Sequence, residues 1–300
     1  MRINEALAEY HDYCTNVCNF THATIRDKRH VLSLFARWYG NNKINKLSHD
    51  DINNYIAYIR SRGVSEATVV TYVAQIIAFI KYLHGMGYKT SVKLPLVAKQ
   101  RVFSSAARLF YSAHEINQVI GHTDDQTALM IAIAFDTGMR RTALSNLCID
   151  NFCGRRVVYI DKCRKRRESY ITEKTKQMLD AFVQNHRITN KLWGSGGDYG
   201  VGISSASLHN VLYAAFNDYA DKLELQNGDP DFINRLRRFH IHALRHSFAT
   251  DLQLKGASVE EIKELMGHSN TATTEHYLHG FDGQLQQIFD KYKSEPTIYR

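Results

Sequence analysis

Four stretches of this 300-residue chain hold side chains that could act together on a phosphate. They are Thr137-Gly138-Met139-Arg140, the basic run Asp161-Lys162-Cys163-Arg164-Lys165-Arg166, the run His242-Ala243-Leu244-Arg245-His246, and Leu265-Met266-Gly267-His268, with Tyr277 nine positions further on. Two arginines can hold the two non-bridging oxygens of one phosphate, because planar guanidinium forks match that geometry. A pentavalent phosphoryl transition state carries more charge on those oxygens than the ground state, so fixed guanidiniums stabilise it selectively. A tyrosine hydroxyl, with a pKa of about 10, is a poor nucleophile until it loses its proton. A histidine and two cations nearby would ease that loss. A lysine at a hairpin tip can reach over a substrate and give a proton to a leaving oxygen. Tyr277 gains meaning only from such companions, since the chain has 17 tyrosines and most must be core or surface aromatics.

The elements that hold these stretches are legible from periodicity. The first ~90 residues read as all helix. Thr24–Tyr39 carries Ile25, Val31, Leu32, Phe35 and Trp38 at helical spacing and ends at Gly40. Ser48 and Asp51 form a capping box for a helix with Ile52, Tyr55, Ile56 and Ile59 on one face. Ser65 can cap a longer helix with Val69, Val73, Ile76, Ile77, Ile80 and Leu83 inward. These make a small helical bundle over residues 1–90. Residues 91–106 hold a proline, several cations and no long periodicity, and read as a linker. From 107 to 300 the pattern is mixed. Thr127–Asp136 is a strongly apolar helix ended by Gly138, and Cys148–Asp150 reads as a short strand. Arg156–Lys162 and Glu168–Thr172 alternate around a basic turn, a β-hairpin signal. On the helix expected around His242, that residue and Arg245 are three apart and share a face. The expected fold is thus mainly α with a small antiparallel sheet.

Composition narrows the partner. Lys plus Arg total 38 against 30 Asp plus Glu, a formal charge of +8, which favours a polyanion: nucleic acid or an acidic membrane surface. The apolar run Val69–Leu83 is interrupted by Thr71, Gln75 and Lys81 and is too short to span a bilayer, and the N-terminus lacks the apolar core of a secretory leader, so no membrane partner is expected. The five cysteines lack the spacing of a zinc site and read as reduced thiols. Residues 191–205 are glycine-rich and read as an exposed loop; no Lys-Ser/Thr follows the Gly-Ser-Gly-Gly run, so it is not a nucleotide cradle.

The ordered set T-G-M-R, hairpin lysine, H-x-L-R-H-S-F-A-T, L-M-G-H and T-T-E-H-Y resembles the tyrosine recombinase, or phage integrase, superfamily. The likeness covers most of the second domain and, more weakly, the first. It implies a helical, SAM-like core-binding N-terminal domain and an α+β catalytic domain, with a tail helix at about 281–293. It implies that Arg140 and Arg245 bind the scissile phosphate and that Lys162 is the general acid for the 5′-oxygen. By the same likeness His242 serves as acid/base, His268 supports phosphate and nucleophile, and Tyr277 attacks to give a 3′-phosphotyrosyl link. It further implies double-stranded DNA with a specific recombination site as partner. Four protomers would act on two duplexes, and the protein would be a monomer away from DNA. No cofactor, metal or ATP is expected, and the expected location is cytoplasmic and nucleoid-associated, in a simple Xer-like architecture. One departure stands out: the family often has an acidic residue three positions after the first arginine, and here that position is Ala143.

Other basic residues are candidates for DNA contact. Arg164, Lys165, Arg166 and Arg167 suggest a phosphate-contacting edge, with Lys165 also the runner-up to Lys162. Arg141 adjoins Arg140 and is its rival in register. Arg238 closes a trio with Arg235 and Arg237, and Arg26 and Lys28 lie in the helical domain. His276 and His279 read as surface residues flanking the nucleophile. Leu285, Ile288 and Phe289 share one face of the expected tail helix, which could dock on a neighbouring protomer or on its own domain. Two rival readings use the same residues: a monomeric type IB topoisomerase-like enzyme, and a non-catalytic DNA-binding protein on the same scaffold.

Overall fold

A computed structural model of the chain describes residues 1–93, 109–161, 165–194, 198–266 and 289–293. The chain forms two compact units, Met1–Ser105 and Ala106–Arg300.

In the first unit, apolar residues at helical spacing build α1 (Ile3–Asn16), α2 (His22–Tyr39), α3 (His49–Ser61) and α4 (Glu66–Gly85), with a 3-10 turn at Ile44–Lys46. The sequence pattern identifies the last three; α1 is added by its burial of Ile3, Leu7, Tyr10 and Cys14. The capping box opening α3 forms as the residue types require: Asp51 N–H donates to Ser48 Oγ at 3.2 Å, and Ser48 N–H donates to an Asp51 carboxylate oxygen at 2.8 Å. Ser65 caps α4 in the same way, through Thr68 N–H at 3.2 Å. By length and composition α4 could cross a membrane, at a mean hydropathy of 1.3. Its Val69, Val73, Ile76, Phe79, Ile80 and Leu83 are instead buried in this bundle.

The second unit runs α5 (Ala113–Ile120), α6 (Asp125–Thr137), α7 (Arg141–Ser145), β1 (Phe152–Cys153), β2 (Arg156–Ile160), β3 (Arg166–Tyr170), α8 (Glu173–His186), α9 (Ser205–Leu225), α10 (Pro230–Arg237), α11 (Ile241–Leu254) and α12 (Val259–Leu265). The three strands form one antiparallel sheet in the order β1-β2-β3, with Val157 opposite Ser169 and Ile160 opposite Arg166. Helix α6 is the axis of the core: every residue from Gln126 to Thr137 is buried. Asp136, near its end, accepts the backbone N–H and the hydroxyl of Thr172 at 2.8 Å each, which joins the end of α6 to the start of α8.

Two local expectations fail. Cys148–Asp150 is not a strand. Asn151 Oδ1 accepts the Cys148 N–H at 2.7 Å and closes a 3-10 turn at Ile149–Asn151, so the first strand begins at Phe152. The glycine-rich stretch is not simply exposed either. Leu192 and Trp193 are fully buried, Trp193 Nε1 donates to Leu144 O at 2.5 Å, and Gly194 N–H donates to Gln126 Oε1 at 2.8 Å. A Cβ on Gly194 would lie 1.7 Å from Asp198 O, so the glycine is there for close backbone approach rather than for looseness.

Candidate active site

The turn leaving α6 is built around one glycine. Gly138 takes the left-handed conformation at φ +57°, and a Cβ there would meet the Phe248 ring at 2.6 Å. Thr137 Oγ1 donates to Ile133 O at 2.6 Å and accepts Met139 N–H at 3.3 Å, fixing the turn from its other side. Arg140 follows as the N-cap of α7, in extended backbone, with its side chain about one-third exposed. Its Nη1 donates to Asp161 Oδ2 at the end of β2.

Arg245 comes from α11 and is 8% exposed. Its Nη1 donates to Gly138 O, and its Nη2 donates to Met266 O at 2.9 Å. One guanidinium thus ties the Thr-Gly-Met-Arg turn to the end of α12, where the Leu-Met-Gly-His stretch begins. Burial, and then the charge of Arg140, weaken its hold on its proton, while Tyr159 and Asp161 act the other way. Arg245 remains a cation at any ordinary pH. His242, one turn earlier on α11, keeps contact with solvent, and partial desolvation first, then His240, Arg141, Arg245 and Arg140, hold it below the ordinary imidazole value. Arg140, Arg245 and His242, from segments about a hundred positions apart, therefore form one electropositive centre. Lys162, His268 and Tyr277 lie outside the described residues, as do Arg164, His276, His279, Leu285 and Ile288.

The Phage integrase family model matches residues 110–283, and the Phage integrase N-terminal SAM-like domain matches residues 7–85. The chain belongs to the phage integrase family. Its relatives are tyrosine recombinases. It is 28% identical over 308 residues to tyrosine recombinase XerC of Treponema denticola, spanning 96% of this chain and 98% of that protein. It is 22% identical over 281 residues to tyrosine recombinase XerD of Listeria monocytogenes, spanning 89% and 90%. Its fold matches a lambda integrase dimer bound to a COC′ core site at a TM-score of 0.69, with 13% identity and 90% and 96% of the two chains covered. It also matches the Tn1549 transposon integrase in complex with transposon right end DNA at 0.68, with 16% identity and 97% and 95% covered. A lambda integrase tetramer bound to a Holliday junction matches at 0.67, with 13% identity and 91% and 79% covered. This integrase is accordingly an enzyme of DNA recombination, mainly α with a small antiparallel sheet and a SAM-like N-terminal domain.

The other basic candidates of this integrase divide by placement. Lys165 and Arg166 are exposed beside the hairpin tip. Arg167 pairs across the strands with Tyr159, which is 6% exposed, and its charge reaches Arg245 and Tyr159. It belongs to the inner face of the sheet rather than to the outer edge. Arg141 opens α7 and lowers the pKa of both His242 and His209. Arg235 is paired with Glu115, and Arg237 with Asp221 and Glu224 at 2.5 and 2.6 Å, whereas Arg238 is exposed. In the first unit Arg26 is exposed, but Lys28 is not available. It is 8% exposed, and its ammonium donates to Gln75 Oε1 at 2.8 Å and to Tyr10 Oη at 3.3 Å. An ammonium that is itself buried and donates to two acceptors within the bundle cannot also neutralise a phosphate outside, so Lys28 does not belong to the DNA-facing set.

Four residues near the centre were not singled out from sequence: Asp161, Tyr159, His209 and His240. Asp161 stands next to Lys162 in a stretch that was. His240 is the N-cap of α11, two positions before His242. Tyr159 follows from strand alternation once β2 is in register with β3, while His209, on α9, carries no sequence signal. The C-terminal segment is described over 289–293 and lies on its own unit. Phe289 is fully buried, Asp290 pairs with Arg155, Tyr292 Oη donates to a Glu261 carboxylate oxygen at 3.2 Å, and Lys293 pairs with Asp251 at 2.8 Å.

Proposed function

We propose that this protein cuts and rejoins double-stranded DNA at a specific recombination site, with Tyr277 as the nucleophile. The observation that carries this reading is the convergence of Arg140 and Arg245, two guanidiniums held from different segments at the Gly138 turn, with His242 within reach of both charges. Such a pair suits the two non-bridging oxygens of one phosphodiester. Tyr277 Oη forms a bond to phosphorus as the bond from phosphorus to the 5′-oxygen breaks. His242 takes or shares the phenol proton, and Lys162 supplies one to the departing 5′-oxygen. His268 supports the phosphate and the nucleophile. The 3′-phosphotyrosyl ester conserves the bond energy, so a 5′-hydroxyl from a partner duplex can reverse the step without ATP or metal.

Arg141, Arg164, Lys165, Arg166, Arg238 and Arg26 would meet the DNA backbone, with Arg167 nearer the phosphate. The working assembly is a tetramer on two duplexes and a monomer off DNA, acting in the cytoplasm where the chromosome lies. A lambda integrase tetramer on a Holliday junction supports that arrangement by fold likeness. The test uses a nicked duplex bearing the sequence that copurifies with Tyr277→Phe protein. In the presence of a chelator, wild-type protein should become covalently joined to the DNA and Tyr277→Phe should not. An adduct on Tyr277→Phe would remove the assigned nucleophile.

A further inference from the structure

Arg140 must present its fork in one orientation, yet its own helix cannot hold it. Position 143 is the third residue of α7 counted from the Arg140 N-cap, where an acidic side chain could reach back toward that cap. Ala143 is there instead, 2% exposed, with a methyl group that accepts nothing. The carboxylate that Arg140 does meet comes from 21 positions away. Asp161 stands at the end of β2 with its side chain 5% exposed, and its Oδ2 accepts from Arg140 Nη1. Its backbone N–H donates to Lys165 O at 2.8 Å, closing the base of the hairpin whose next residue is Lys162. Its second oxygen, Oδ1, is buried with no hydrogen-bond partner among the described residues.

We propose that Asp161 is the positioning carboxylate of this active site, supplying to Arg140 from the hairpin the orientation that Ala143 cannot supply from α7. The proposal rests on the recombinase reading above. The surrounding charges favour it. Among the described residues, Arg140 and Arg167 act on Arg245 as cations and Asp161 acts on it as a carboxylate. Tyr159 is no substitute, because burial first and Asp161 second push its phenol up to about 12 and keep it neutral. With Nη1 engaged, Arg140 keeps its other N–H donors for a phosphate oxygen. The same contact fastens the end of β2 to the turn carrying Arg140. Misplacement of reacting groups by about 1 Å costs on the order of a hundredfold in rate, which sets the scale of the effect.

The experiment compares wild type, Asp161→Asn, Asp161→Glu, Arg140→Ala and the Arg140→Ala/Asp161→Asn double variant on the nicked duplex, reading adduct rate against protein concentration, with thermal melting alongside. Asp161→Asn should lose about 10- to 100-fold in the saturating rate, with the half-saturating concentration within about threefold of wild type. Asp161→Glu should recover part of the loss. In the Arg140→Ala background the Asn substitution should cost nothing more, because a residue acting through Arg140 has nothing left to position. A saturating rate for Asp161→Asn equal to wild type overturns the proposal. A faster rate also overturns it, because Asp161 would then compete with the phosphate for Arg140. So does a full additional loss in the double variant. Should Asp161→Asn not fold, Asp161→Glu decides: a rate within about tenfold of wild type supports the carboxylate's role, and a folded Glu variant as slow as Arg140→Ala overturns it. A wild type that forms no adduct fails the recombinase reading and this proposal together, whereas an adduct-forming wild type beside an unimpaired Asp161→Asn fails this proposal alone.

Discussion

His242 shows how single side chains set the working conditions. Burial, His240, Arg141, Arg245 and Arg140 all disfavour its protonated form, so it is neutral at pH 7, as the proposed role of proton acceptor requires. A base with a lowered pKa keeps its activity further into acid. The acidic limb of the adduct-rate profile should therefore fall below the ordinary imidazole value of about 6.5. Arg141→Gln removes one repelling charge, raises the pKa of His242 and should move that limb upward, toward 6.5. A limb that stays put in pH–rate profiles of the two proteins would separate His242 from the titration. At this scale the convergence of Arg140, Arg245 and His242 was legible because each sits in a short motif. Asp161 lies in one of those motifs, but only hairpin register brings it to Arg140, so its type and position alone give it no role. Lys28 departs from expectation for a different reason: it looks like its basic neighbours but keeps the helical phase of Ile25, Val31 and Phe35, three or four positions apart on the inner face of α2. Phase, not residue type, decided its place.

Elements are held by a few positions where backbone shape is compulsory. Gly138 is one, since its φ of +57° and the Phe248 ring leave no room for a side chain. Gly138→Ala should lower the stability of the second unit by roughly 1–3 kcal/mol, from the left-handed backbone and the forced shift of a packed ring. The adduct rate should fall as well, because Gly138 O is one of the two carbonyls that hold Arg245. Chemical denaturation and adduct formation measured on the same variant check both halves; a full-rate, fully stable Ala variant would contradict them. The helices were legible because cap and periodicity agree, as at Ser48, Ser65 and the apolar face of α4. The irregular pieces were not. At Cys148 extended pairing stops at a single antiparallel bridge to Lys191, because Asn151 draws the next residues into a 3-10 turn, and local sequence does not say where pairing gives way. Glycines at 194–197 advertise freedom, whereas burial of Trp193 and the Gln126 hydrogen bonds to Gly194 fix the start of that stretch from α6, nearly seventy positions earlier.

For the whole molecule, a net charge of +8 announces a polyanionic partner without saying which cations meet it. Part of the basic inventory is already engaged by partners within the chain: Arg60 with Glu66, Arg156 with Glu168, Arg235 with Glu115, Arg237 with Asp221 and Glu224, and Lys28 with half-buried Gln75 and buried Tyr10. Composition counts all of these alike, so the charge was legible and its distribution was not. The distinction has a thermodynamic signature. Each phosphate neutralised releases condensed counterions, and the slope of log affinity against log salt falls by about 0.9 per contact. Arg26→Ala and Arg238→Ala should each reduce that slope by about one and weaken binding to any DNA sequence similarly. Lys28→Ala should leave the slope unchanged and instead lower the melting temperature of the full chain, because it removes a buried donor from Tyr10 and Gln75. Fluorescence anisotropy titrations at four or more salt concentrations, with melting curves on the same samples, separate the two kinds of cation. A reduced slope for Lys28→Ala at an unchanged melting temperature would return that lysine to the DNA face. An unchanged slope for Arg26→Ala would make the exposed arginine a solvated charge, and would shift the search for the first unit's phosphate contacts to its other helices.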